Sequence, residues 1–135
     1  MATTGTGRRP NKPRRTGGPV RAALGAFGEK VAAQHLVTQG MAILDRNWRC
    51  DIGEIDLVAR DGAVLVVCEV KTRRGLAYGT PGDAVTWSKL SRLRRLAVRW
   101  LAEHPVGAAE VRIDVVEVLV LPNDGPRVEH LVGVG

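Results

Sequence analysis

Between Gly53 and Arg73 the chain alternates apolar and polar side chains twice over, on either side of an Asp61-Gly62 pair. Asp-Gly between two such runs predicts a β-hairpin, since both residues tolerate the positive φ of a type I′ turn. With those two residues as the loop, Arg60 faces Ala63, Asp56 faces Val67 and Glu54 faces Glu69. Period-two alternation then sends Glu54, Asp56, Val67, Glu69 and Lys71 to one side of the sheet and Ile55, Leu57, Val66, Cys68 and Val70 to the other.

Helical spacing precedes the hairpin. From Val20 to Gln39, Leu24, Phe27 and Val31 form a stripe, and Gly40 is the stop. Glu29 lies beside that stripe, near Ala32 and Leu36, where periodicity alone makes it a half-exposed helix residue. Met41 to Trp48 predicts a first strand, with a polar turn at Arg49–Ile52. After Arg74 the punctuating residues Gly75, Gly79, Pro81 and Gly82 predict a loop that also carries Tyr78. The strongest helix follows, roughly Asp83 to His104. Leu90, Leu93, Ala97 and Leu101 form its apolar stripe, with Leu96 and Trp100 on one margin. Arg92, Arg95 and Arg99 lie opposite and Lys89 at the flank, while Arg94 falls close to the apolar side, where it must snorkel or meet an anion. Pro105 and Gly107 end the helix. Glu110 to Leu121 predicts a fourth strand and Arg127 to Val132 a short fifth. The order αβββαββ implies an α/β fold, a mixed central sheet flanked by helices.

Composition changes this picture in two places. With 135 residues the chain bounds one domain of ordinary hydrophobic content, 44%. Its formal charge of +6 comes from Arg8, Arg9, Lys12, Arg14, Arg15 and Arg21, all ahead of the first acid, Glu29. Residues 1–19, rich in Gly, Thr, Pro and Arg, carry too little apolar surface to offset ordering entropy and are expected to form a disordered basic arm. Such an arm either adds salt-sensitive phosphate contacts or simply aids solubility. Residues 20–135 are expected to form the single folded domain. Within it, Lys71, Arg73, Arg74, Lys89, Arg92, Arg94, Arg95 and Arg99 face only one acid, Asp83, between positions 71 and 99. A polyanion or plain solvation of a helix face accounts for such a segment. Cys50 and Cys68 have no zinc-like spacing, and Cys68 is expected as a small buried thiol. No apolar run approaches the ~20 residues of a membrane span, and no secretory h-region follows the basic start. A cytoplasmic protein is the simplest expectation.

The hairpin carries the candidate chemistry. Directly opposed positions on a sheet lie about 5 Å apart, so three carboxylates and Lys71 crowd one patch. A divalent cation would compensate them, and oxygen donors of this kind suit Mg²⁺ or Mn²⁺. A lysine two residues after a ligand can steady an attacking water or charge on a phosphate. Arg73, Arg74, Lys89, Arg92, Arg95 and Arg99 would hold the polyanion. His35, His104 and His130 offer no nucleophilic triad, and no glycine-rich phosphate loop occurs.

Taken together, GEKVAAQHL (28–36), RNWR (46–49), GEIDLVARDG (53–62), VCEVKTR (67–73), YGTPGDAV (78–85) and Lys89 resemble the YraN-like family, bacterial proteins similar to archaeal Holliday-junction resolvases in the PD-(D/E)xK nuclease superfamily. The resemblance runs from about Leu24 to Val116. It implies a restriction-endonuclease-like core and a Mg²⁺- or Mn²⁺-dependent endonuclease acting on DNA, branched junctions included. By it Asp56 and Glu69 are metal ligands together with the main-chain carbonyl of Val70, Glu29 sits near the metal, and Lys71 is the catalytic lysine. Glu54 belongs to the family pattern without an assigned role. Ile55 stands at the superfamily's nominal Pro, and Asp83 where Glu is expected. Junction resolution would need a two-fold dimer. A non-catalytic nucleic-acid-binding module on the same fold and a protein-interaction domain are the competing expectations.

Overall fold

A computed structural model describes residues 18–75 and 85–135. Its elements follow the order αβββαββ: α1 (Gly18–Thr38), β1 (Ala42–Cys50), β2 (Gly53–Asp61), β3 (Val64–Arg74), α2 (Trp87–Glu103), β4 (Glu110–Val120) and β5 (Arg127–Leu131). The strands form one five-stranded sheet in the order β1-β2-β3-β4-β5. β1, β2 and β3 are an antiparallel meander, β3 and β4 pair in parallel, and β5 returns antiparallel to β4. A parallel pair needs a crossover, and α2 supplies it.

Each face of the sheet is covered by one helix. Ala32, Ala33 and Leu36 of α1 pack with Leu57, Ala59, Val66, Cys68, Val116 and Val118. Leu93, Leu96, Ala97 and Trp100 of α2 pack with Val58, Leu65, Val67 and Ile113 on the opposite face. β3 and β4 therefore bury side chains on both sides, which explains their near-continuous runs of Val.

The hairpin turn differs from the expected one. Asp61 pairs with Val64, so the loop is Gly62-Ala63. Only Gly62 takes a positive φ, 62°, the requirement of a turn with Gly at its first central position. The register thus moves by two residues: Val58 pairs with Val67 and Leu57 with Cys68. An even shift keeps the parity of every position, so the faces predicted for β3 persist. β2 does not keep its parity. Ile55 packs among the α2 residues and Leu57 among those of α1, although two residues apart. The β2–β3 pairing ends at Leu57, and across the sheet Asn47 of β1 has φ 52°. The backbone turns over at Asp56.

Both helical stripes are rotated from expectation. In α1 the buried line is Gly28, Ala32, Ala33 and Leu36, while Phe27 remains 41% exposed. The cause is a close approach: a Cβ on Gly28 would stand 1.8 Å from Thr72 Oγ1 of β3. In α2, Leu96 and Trp100 are central and Leu90 and Leu101 only partly buried. Trp100 takes the core position because its indole N–H finds an acceptor, Asp45 Oδ2 at 2.9 Å. α2 begins at Trp87, capped by the Thr86 hydroxyl, which accepts from Lys89 N at 3.1 Å. The expected start at Asp83 and the loop carrying Tyr78, Gly79, Pro81 and Gly82 lie outside the described residues, as does the arm before Gly18. Gly18 and Pro19, expected in the arm, belong to α1.

Candidate metal and nucleic-acid site

Asp56 sits where β2 parts from β3. Its Oδ2 accepts a hydrogen bond from Val70 N at 2.8 Å, so the side chain takes a donor that a paired strand would otherwise have used. Burial drives the Asp56 carboxyl up to about 8, and the Glu69 carboxylate adds to this; the Val70 N–H opposes it, and Glu29 and Glu54 raise it further. An acid kept protonated near neutral pH by burial and by three other acids marks a site that a cation would relieve.

Glu29 reaches this group from α1. It directly follows Gly28, so the contact with Thr72 that draws the helix onto β3 also carries Glu29 inward. Burial raises its carboxyl above the ordinary range, a hydrogen bond from the Asn47 side chain partly restores it, and Glu54 and Glu69 push it up again. Asn47 adopts the left-handed conformation that asparagine tolerates better than most residues. Glu29 is half-exposed, as periodicity suggested, but periodicity does not show the acids it faces; closeness at a small residue, rather than hydropathy, sets the helix rotation.

The acids influence one another without forming a closed ligand shell. Among the described residues, no three His, Cys, Asp or Glu side chains stand close enough to hold a metal ion as they are placed. Glu69 is instead engaged by Lys89 of α2, whose Nζ lies 2.6 Å from Glu69 Oε2. Glu54 turns outward to Arg49 at 2.7 Å. Lys71 is partly buried and makes no ion pair among the described residues. In the parallel ladder it stands beside Glu117, which is 2% exposed and ion-paired with Arg73. In kind the donor set suits a hard divalent cation: carboxylate oxygens from three elements, with a lysine on the strand that carries Glu69.

The residues expected to hold a polyanion divide into two groups. Arg74, Arg92 and Arg95 are exposed. Arg73 is turned to Glu117, Arg99 to Asp51 and Lys89 to Glu69. Asp83 lies outside the described residues. Arg94, expected to snorkel or meet an anion, donates to the Gly135 carbonyl.

Sequence periodicity also passed over Glu117 and a buried polar cluster on the α1 face. Asp114, fully buried, is held by Arg112 through Nε at 2.9 Å and Nη2 at 3.1 Å, by His130 Nε2 at 2.8 Å and by Gly133 N at 3.0 Å. Burial works against the charge, but these donors outweigh it and hold the Asp114 carboxyl below the ordinary range. His130 Nδ1 meets His35 Nε2 of α1 at 3.0 Å. The one signal in sequence was a charge in each of two places within a run of valines. Cys68 is buried as expected, its thiol pushed well up by burial and then by Asp114.

An α/β protein with one mixed sheet, a helix on each face and a nest of acids where two strands part is the class that these features define. The chain belongs to the uncharacterised protein family UPF0102, whose profile matches residues 28–118; this is the YraN-like family that the motifs resemble. It is 62% identical over 113 residues to a UPF0102 protein of Beutenbergia cavernae, covering 84% of this chain and 96% of that one. A UPF0102 protein of Nocardioides sp. is 56% identical over 116 residues, with 86% and 94% covered, and one of Frankia alni is 60% identical over 111 residues, with 82% and 92% covered. The matched span contains Glu29, Asp56, Glu69, Lys71 and all of α2. No described helix is long and apolar enough to cross a membrane.

Proposed function

We propose that this chain is a Mg²⁺- or Mn²⁺-dependent endonuclease that hydrolyses DNA phosphodiester bonds, branched junctions among its substrates. The observation that carries the reading is Asp56: a largely enclosed acid tied to Val70 N and pressed by Glu69, Glu29 and Glu54. Asp56, Glu69 and the Val70 carbonyl would hold the cation, with Glu29 beside it. The cation, when bound, supplies charge neutralisation at the scissile phosphate and lowers the pKa of water. Lys71 orients the attacking water and faces the developing charge from the same strand. Exposed Arg74, Arg92 and Arg95 favour a polyanion over a small neutral substrate.

Glu69 must leave Lys89 for this to happen. Lys89 then becomes available to a phosphate, so metal and nucleic acid would each favour the other's binding. The Glu69–Lys89 pair is also the specific feature that favours the second reading, a nucleic-acid-binding module without catalysis. Calorimetric titration with Mn²⁺ separates the two. Wild type is expected to bind with measurable heat and Asp56→Asn with none. Equal heats for both proteins, or no cleavage of linear, flapped or four-way DNA at saturating metal, would remove the enzyme reading.

A further inference from the structure

α2 opens with an anomaly. Trp87 is 86% exposed, the most exposed of the large hydrophobic residues among those described. The other two tryptophans pack: Trp100 is 1% exposed, and Trp48 is partly buried against the α2 cluster. A largely solvated indole on a helix that otherwise buries its apolar side adds little to folding, and its flat apolar face with one polar tip is suited to contact with a partner.

Its setting indicates the kind of partner. α2 carries Lys89, Arg92, Arg94, Arg95 and Arg99 against a single acid, Glu103. Helical spacing puts Ser91 and Arg95 on the turns next to Trp87 along the solvent face, and both are exposed. Lys89, two residues on, reaches the acid nest through Glu69. The Thr86 cap fixes the first turn, so the backbone under Trp87 is held in place. An apolar protein partner is poorly matched to so cationic a surround. A nucleic-acid strand is well matched, since its phosphates answer the arginines and its bases offer a flat face. Bases inside a duplex are covered by their neighbours. Only an unpaired one can lie on an indole.

We infer that Trp87 is a stacking platform for an unpaired base, with Arg92 and Arg95 on the adjoining phosphates. The site thereby selects single-stranded or distorted positions in its nucleic acid. This rests on the nucleic-acid part of the reading above and not on cleavage, so it is tested in chelator. A single-stranded oligonucleotide and the duplex of the same sequence are titrated at low salt into wild type, Trp87→Phe, Trp87→Tyr and Trp87→Ala. The emission that distinguishes wild type from Trp87→Phe belongs to Trp87, and the single strand is expected to quench it. Trp87→Ala should weaken single-strand binding by about tenfold and duplex binding by about twofold or less, with Trp87→Tyr close to wild type. The exposure of Trp87 makes misfolding of the alanine variant a poor explanation for any loss. Unchanged single-strand affinity in Trp87→Ala, or equal losses on both ligands, overturns the stacking role. Self-association of wild type that Trp87→Ala abolishes, with nucleic-acid affinity unaltered, assigns the indole to a second copy instead. If wild type binds neither ligand, the nucleic-acid reading falls as well, which separates the two failures.

Discussion

Asp56→Asn should stabilise the metal-free protein while destroying its site. The carboxyl titrates at about 8 in the fold against an ordinary 3.8. The folded state therefore holds a proton that the unfolded chain has released, and stability falls as pH rises from 3.8 towards 8. At pH 7 the ceiling on that cost is roughly 4 kcal/mol, at about 1.4 kcal/mol per unit. Solvent reaches part of the Asp56 side chain, so a recovery of about 1–2 kcal/mol is expected. Asparagine keeps an oxygen for Val70 N. Urea unfolding in chelator at pH 5 and pH 8 is the assay. The gain should be larger at pH 8, and added Mn²⁺ should raise the stability of wild type alone. A variant no more stable than wild type at pH 8, or a gain independent of pH, would refute the electrostatic account of Asp56.

Two further outcomes follow from packing and from the histidine pair. Gly28→Ala drives a Cβ to within 1.8 Å of Thr72 Oγ1 and 2.8 Å of Thr72 Cβ, and should cost about 1–3 kcal/mol by chemical denaturation, with part of the loss recovered in the Gly28→Ala/Thr72→Ala double variant. His35 is held below its ordinary value of 6.5 by burial and then by His130, so its contribution is complete above pH 6.5 and lost as pH falls below it. The melting temperature of His35→Gln should accordingly drop less than that of wild type between pH 7 and pH 5; parallel curves would contradict this.

The order and type of the elements were legible because α2 and the four longer strands have strong periodicity of their own. The hairpin register was not, since either Asp61-Gly62 or Gly62-Ala63 fits a tight turn; the faces of β3 survived because the two registers differ by two residues. The rotation of α1 escaped detection for a physical reason. Phe27 outweighs Gly28 on any hydropathy scale, yet contact with Thr72 rewards the smallest residue. The inversion at Asp56 lies across from Asn47 of a neighbouring strand, and the pairings of Glu117 with Arg73 and of Asp114 with His130 depend on which strands adjoin. These are tertiary facts with no local pattern to announce them. Glu29 was offered only by resemblance, whereas alternation alone proposed Asp56, Glu69 and Lys71 as neighbours, on a parity that β2 does not keep beyond Asp56.

The irregular backbone of β1 has a consequence beyond the acids. β1 and β5 are the two borders of the sheet, and a straight border strand invites another chain to pair with it. β1 shifts register between Ile43 and Asp45 and breaks conformation again at Asn47, so it offers no long even row of amides. β5 spans five residues and gives way to Gly133 at φ 67°. Both borders thereby offer poor templates for further strands. A two-fold assembly of this chain through continuous sheet pairing is disfavoured, and contacts through its helices and loops are the expected alternative.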